Sequence, residues 1–81
     1  MEIEVLAARK YLIRKGKALP INYFIIEENN IFGIKITFKG EENKIFFEKS
    51  TKSEVIKNIK LLSENFTFPI ELSYILDDFH T

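Results

Sequence analysis

Ile21-Asn22-Tyr23-Phe24-Ile25-Ile26-Glu27-Glu28-Asn29-Asn30-Ile31-Phe32-Gly33-Ile34-Lys35-Ile36-Thr37-Phe38 is the stretch on which the fold turns. Both halves are rich in β-branched and aromatic residues, which favour strands. Between them stands Asn29-Asn30, and Asn tolerates the left-handed conformation that a type I′ turn needs. A tight antiparallel hairpin is predicted, with strands over 21–27 and 31–38. The second strand alternates cleanly, Phe32, Ile34, Ile36 and Phe38 facing the core and Gly33, Lys35 and Thr37 facing away. The first has apolar groups on both sides, Ile21, Tyr23 and Ile25 against Phe24 and Ile26, which suits a central strand covered on both faces.

Working outward, Gly40-Glu41-Glu42-Asn43 reads as a turn, and Lys44 to Lys49 as a short strand with Phe46 on one face and Ile45 and Phe47 on the other. On the N-terminal side, Val5 to Arg14 has period two, with Val5, Ala7, Tyr11 and Ile13 opposite Leu6, Ala8 and Leu12. Arg9, Lys10 and Arg14 interrupt both faces of that strand. Lys15-Gly16-Lys17-Ala18-Leu19-Pro20 reads as the turn that follows it, since Gly permits positive φ and Pro removes a ladder donor.

The period changes after Ser50. Thr51-Lys52-Ser53-Glu54 fits a capping box, and Val55, Ile56, Ile59, Leu62 and Phe66 then recur at helical spacing among Lys52, Lys57, Lys60 and Glu64. An amphipathic helix of about four turns is predicted to lie on the sheet and to end at Asn65 and Pro69. Ser73 is placed to cap a second, short helix through Phe79, burying Tyr74, Ile75 and Phe79 and exposing Asp77 and Asp78. The expected class is α+β: a four-stranded antiparallel β-meander, an amphipathic helix packed on one face and a short C-terminal helix, in a single domain over 1–81.

The stretch from Leu62 to Leu72, LSENFTFPIEL, followed by Ile75-Leu76-Asp77-Asp78-Phe79, resembles the C-terminal signature of a family of small bacterial proteins of unknown function, of the low-GC Firmicutes type. There a helix ends in Asn, an aromatic-Pro-Ile step follows and an acidic-acidic-Phe element closes the chain. The step Phe32-Gly33-Ile34 is similar to the family's aromatic-Gly-Ile in a hairpin strand. The resemblance covers the last third of the chain and one strand; it supports the order of elements and transfers no catalytic or binding residue.

A chain of 81 residues has room for one domain, and a domain this size buries about 60 to 65% of its unfolded surface. A hydrophobic content of 46% with eight Phe supplies a dense core without staples. The absence of Cys excludes disulfides, thiolate metal sites and a cysteine nucleophile, and fits a reducing compartment. Met1 is followed by Glu2 and Glu4, the wrong charge for a signal peptide, and no apolar run approaches the roughly 18 residues of a membrane span, so a cytoplasmic location is expected. Ten of the twelve basic residues are Lys, and Ile, Asn, Phe and Glu are frequent, as AT-rich codons would produce.

The formal net charge is zero, so the global attraction that drives non-specific nucleic-acid binding is missing. Its distribution is uneven, +3 over residues 1–20 and −3 over 60–81. The plain reading is that the two ends are neighbours and attract.

Candidate chemistry is sparse. His80, the sole histidine, lies next to the C-terminus, where side chains are usually solvated. Ser50, Ser53, Ser63 and Ser73 lack His or Cys partners and read as caps or helix surface. Glu27-Glu28 and Glu41-Glu42 read as solvated turn flanks; Asp77-Asp78 could in addition meet a basic partner. Gly16, Gly33 and Gly40 are too scattered to cradle phosphate. No catalytic residue, metal site, cofactor or small-molecule substrate is therefore expected, and the chain is not read as an enzyme.

Two binding roles remain. One predicted helix can cover one sheet face, whereas Ile21, Tyr23, Ile25, Ile31, Ile45 and Phe47 are assigned to the other; a second helix, a symmetric dimer mate or another protein must cover them. The leading expectation is thus a protein-interaction module, a small regulator or inhibitor that docks a sheet face or edge on a partner protein or on a second copy, with Ile21, Tyr23, Ile25, Ile45, Phe47, Asp77 and Asp78 as contacts. The alternative is a nucleic-acid-binding accessory protein using Arg9, Lys10, Tyr11, Arg14, Lys15 and Lys17 of the basic first strand and the turn after it. Lys and Arg on an edge strand are also a common defence against edge-to-edge pairing.

Overall fold

The computed structural model describes residues 1–74. Four strands, β1 (Ile3–Arg14), β2 (Lys17–Glu28), β3 (Ile31–Phe38) and β4 (Glu41–Phe47), form one antiparallel sheet in the order β1-β2-β3-β4. Helix α1 (Lys52–Glu64) follows, and a short C-terminal helical segment opens with a 3₁₀ turn over Pro69–Glu71. The second helix expected through Phe79 lies outside the described residues from Ile75 onward. Of its predicted core, Tyr74 is described, and it is exposed.

All three hairpins use two-residue turns with both central φ values positive, as type I′ geometry requires. Asn29-Asn30 takes φ 54° and 66°, Lys15-Gly16 takes 49° and 76°, and Lys39-Gly40 takes 50° and 82°. The predicted turns over 15–20 and 40–43 are therefore too long. Two residues already reverse the chain, and the strands resume at Lys17 and Glu41. Pro20 is tolerated inside β2 because it stands beyond Ile21↔Phe38, the last β2–β3 pair, where β1 is its sole neighbouring strand.

Register decides the faces, since residues directly opposite in an antiparallel pair point the same way. Ile21, Tyr23 and Ile25 stand opposite Phe38, Ile36 and Ile34, while Ile45 and Phe47 stand opposite Ile34 and Phe32. The assignment of Ile21, Tyr23, Ile25, Ile45 and Phe47 to a second, uncovered face is thus corrected. They belong to the face that α1 covers, where all but Ile45 are buried and Ile45 packs half-buried against the cluster. Ile31 does lie on the other face, in line with Glu28.

The core is closed by Val55, Ile59 and Leu62 from one stripe of α1 and by Leu72. Ile56 and Phe66, predicted to join it, are 44% and 41% exposed: Ile56 sits beside the buried stripe, and Phe66 follows the helix end. There the Phe66 N–H donates to Ser63 O and the Thr67 N–H to Leu62 O, the Schellman pattern, with Phe66 at φ 52° in the position glycine usually fills. The Phe68 ring meets Phe38 edge-on at 5.0 Å, and the buried Tyr23 hydroxyl donates to Thr67 O at 2.8 Å.

At the other end of α1 the capping box forms as its sequence specifies. The Glu54 N–H donates to Thr51 Oγ1, and the Thr51 N–H to Glu54 Oε1 at 2.9 Å. These bonds hold the Glu54 carboxyl below the usual carboxylate range. Thr51→Ala is expected to cost about 1 kcal/mol, read as a melting temperature about 5 °C lower with the far-UV helical signal retained.

Candidate functional site

Three surfaces remain once the core is assigned. The first is the sheet face away from α1. Its apolar residues include Leu6, Phe24, Ile26, Ile31 and Phe46, and no described helix lies over it. Ile26 is nevertheless fully buried. Opposite it stands Gly33, where the strands approach so closely that a Cβ would strike the Ile45 carbonyl and crowd Phe46 Cα and the Ile26 side chain.

Charged side chains from β1 and the residue before it, Glu4 and Glu2, then reach across β2. Lys35 Nζ donates to Glu4 Oε1 at 2.8 Å and lies 3.8 Å from Glu42 Oε2; Lys44 Nζ donates to Glu2 Oε1 at 2.7 Å. Neighbouring strands are about 4.8 Å apart, so the contact from Glu2, just before β1, to Lys44 on β4 crosses three strand spacings and requires a face that curls toward itself. Lys35 also sits over the Phe24 ring at 5.5 Å. Its bond to Glu4 raises the Lys35 pKa, and the Glu2–Lys44 bond lowers Glu2 and raises Lys44. The aliphatic stems of these ions shelter the apolar strip beneath them.

The second surface is the outer edge of β1. The 3₁₀ turn lies against β4, and the Asn43 side chain donates to Pro69 O; no described element pairs with the far side of β1. A bulge at Ala7, between the pairs Leu6↔Phe24 and Ala8↔Tyr23, swaps the faces midway along the strand. Ile3 and Val5 therefore lie on the helix side with Ala8, Lys10 and Leu12, and Leu6 on the far side with Arg9, Tyr11 and Ile13. Ile3, Val5, Leu6, Tyr11 and Ile13 are 42 to 67% exposed.

The six residues expected to contact nucleic acid do not share one surface. Arg9 and Tyr11 lie on the far face, where Arg9 Nε donates to Asn22 Oδ1. Lys10 lies on the helix side, 5.9 Å from the centre of the Phe66 ring. Arg14, Lys15 and Lys17 gather at the β1–β2 turn and meet Lys39 from the β3–β4 turn around a depression of about 410 Å³ that also includes Leu19. Sequence reading missed Lys39, although the signal is plain: in a meander the two Lys-Gly turns, 15–16 and 39–40, must fall at the same end of the sheet.

Asp77, Asp78 and His80 lie outside the described residues. Among the described residues no three His, Cys, Asp or Glu side chains are placed to hold a metal ion, and no helix is long and apolar enough to cross a membrane. Glu41 and Glu42 stand opposite Phe38 and Thr37, on different faces of β4. Ser63 is buried and donates to Lys60 O.

Across residues 2–81 the sequence matches the model of a family of unknown function, DUF6514. The chain belongs to that family. No curated protein and no solved structure matches it. The DUF6514 match takes in β1 and all the other elements, so the resemblance read from the last third of the chain and one strand is widened to nearly its whole length.

Proposed function

We propose that this DUF6514 chain is a non-enzymatic protein-interaction module, a small regulator or inhibitor that takes an extended segment of a partner protein along the outer edge of β1. One observation supports the reading above the rest. β1 is a 12-residue edge strand whose outer backbone has no partner among the described residues, and five of its large apolar side chains are exposed. Long apolar edges promote unwanted pairing, and soluble proteins usually shorten, charge or cover them; on β1 the Lys and Arg residues fall in the second half, after the bulge, and Ile3, Val5 and Leu6 of the first half are exposed. Added backbone hydrogen bonds would give such a complex its affinity, and side chains alternating above and below the edge would give it specificity. Arg9 and Lys10 favour a segment with acidic residues opposite the second half of β1.

Selection of displayed random peptides on the folded protein, followed by ¹⁵N chemical-shift mapping, tests this reading. Enriched peptides are expected to alternate apolar and polar residues and to shift the amides of residues 3–14. Leu6→Pro, which removes a donor from the edge strand, is expected to abolish the shifts, with circular dichroism reporting on the fold. A light-scattering mass twice that of the chain, lost on Val5→Lys, would make a second copy the partner. A monomer that enriches no peptide, or peptides that map away from β1, would overturn the reading.

A further inference from the structure

We propose that the two Lys-Gly hairpin turns at one end of the sheet form a binding site for linked phosphate groups, contacted by Arg14, Lys15, Lys17 and Lys39. The site lies at the turn end of the sheet and shares only Arg14 with β1, so it stands apart from the strand-docking reading.

Three observations converge on it. The four cations come from both hairpins and surround one depression of about 410 Å³, with Leu19 the other lining residue. None of the four is in an ion pair or a side-chain hydrogen bond with any described residue, whereas Lys35 and Lys44, on the far face, are both engaged by carboxylates. Four like charges brought together with no carboxylate paired to them among the described residues repel one another and are stabilised by a polyanion.

The third observation is conformational. Lys15 and Lys39 have φ values of 49° and 50°, the first left-handed position of each turn. Asn, Asp and Gly are the residues suited to that position. At the opposite end of the sheet the chain uses Asn29 there, at φ 54°. Of its three equivalent turns, the chain thus accepts a poorly suited lysine in the two that share an end with Arg14 and Lys17. Backbone strain kept at a site that better-suited residues could relax points to a role for the charge.

Linked phosphates occur in free polyphosphates and in nucleic-acid backbones, and two probes distinguish them: inorganic tripolyphosphate and an eight-nucleotide oligothymidylate. In ¹⁵N titrations at 50 mM salt, saturable shifts are expected at Arg14, Lys15, Lys17 and Lys39, with Lys52, Lys57 and Lys60 of α1 as internal controls. Binding of tripolyphosphate alone assigns the site to small polyphosphates; binding of the oligonucleotide, with or without tripolyphosphate, assigns it to the backbone. Four contacts to a single strand predict a log–log salt slope near −3, or about 50-fold weaker binding between 50 and 200 mM salt.

The double variant Lys15→Asn/Lys39→Asn separates binding from folding. Asn suits the left-handed turns, so the melting temperature is expected to hold or rise while affinity falls at least about tenfold and the salt slope is roughly halved. The proposal is overturned by the absence of saturable shifts with both probes, by equal shifts at the α1 lysines, or by unchanged affinity in the double variant. The strand-docking reading survives each of these outcomes, because its peptides map to the edge of β1.

Discussion

Gly33→Ala is expected to cost the fold about 3 kcal/mol, lowering the melting temperature by roughly 15 °C. Gly33 lies in β3 with its backbone against β4, between Ile26 and Phe46. A Cβ there would overlap the Ile45 carbonyl oxygen and come within 3.0 Å of Phe46 Cα and 3.1 Å of Ile26 Cγ1. The first two are main-chain atoms, so relief requires strand movement rather than a rotamer change. Alanine also restricts the unfolded chain, a gain of about 0.4 to 1 kcal/mol, which the overlap outweighs. Urea denaturation followed by Phe and Tyr ultraviolet signals measures the net effect. A midpoint within error of the parent would mean that β3 and β4 do not approach as described.

Tyr23→Phe is expected to cost about 2 kcal/mol, because it leaves a buried carbonyl without its donor. The Tyr23 hydroxyl donates to Thr67 O at 2.8 Å, joining β2 to the segment after α1 across 44 residues of sequence. Both residues are buried. Burial first, and the Glu71 carboxylate second, push the Tyr23 phenol up to about 12. An unfolded tyrosine titrates near 10. Below that pH both states keep the proton. Between about pH 10 and 12 the unfolded chain releases it first, so the contribution to stability falls through that window. The gap between parent and Tyr23→Phe, measured in urea at pH 9 and pH 11, should therefore narrow at the higher pH.

The hairpin over 21–38 was legible because Asn29-Asn30 names its own turn and β3 alternates without interruption. The capping box at Thr51 and Glu54 was legible for a similar reason, since both reciprocal bonds are written in four consecutive residues. What escaped required pairing between strands. Ile21, Tyr23 and Ile25 look two-sided in their own strand, and only their alignment with Phe38, Ile36 and Ile34 puts them beneath α1. In β1 a strict period of two groups Val5 with Tyr11, whereas the bulge at Ala7 puts them on opposite faces. Pro20 suggested a break, but a strand that outlasts its neighbour can hold it.

The candidate sites were legible in part. Arg14, Lys15 and Lys17 are adjacent in sequence, and their charge is visible there. Lys39 joins them through the meander, which brings alternate turns to the same end of the sheet. The exposed edge of β1 was harder to see, because it depends on which strands become edges and on what the helical segments leave uncovered.

The strand order β1-β2-β3-β4 also bears on how the chain is made. Every strand pairs with the one synthesised just before it, so each hairpin can close as soon as its second arm clears the ribosome, without a long search for a distant mate. Only the final turns of backbone, from α1 onward, must wait for a finished platform. Until they arrive, one greasy side of a nascent sheet faces water, and the speed with which the remaining third or so of the polypeptide is delivered sets how long it stays bare.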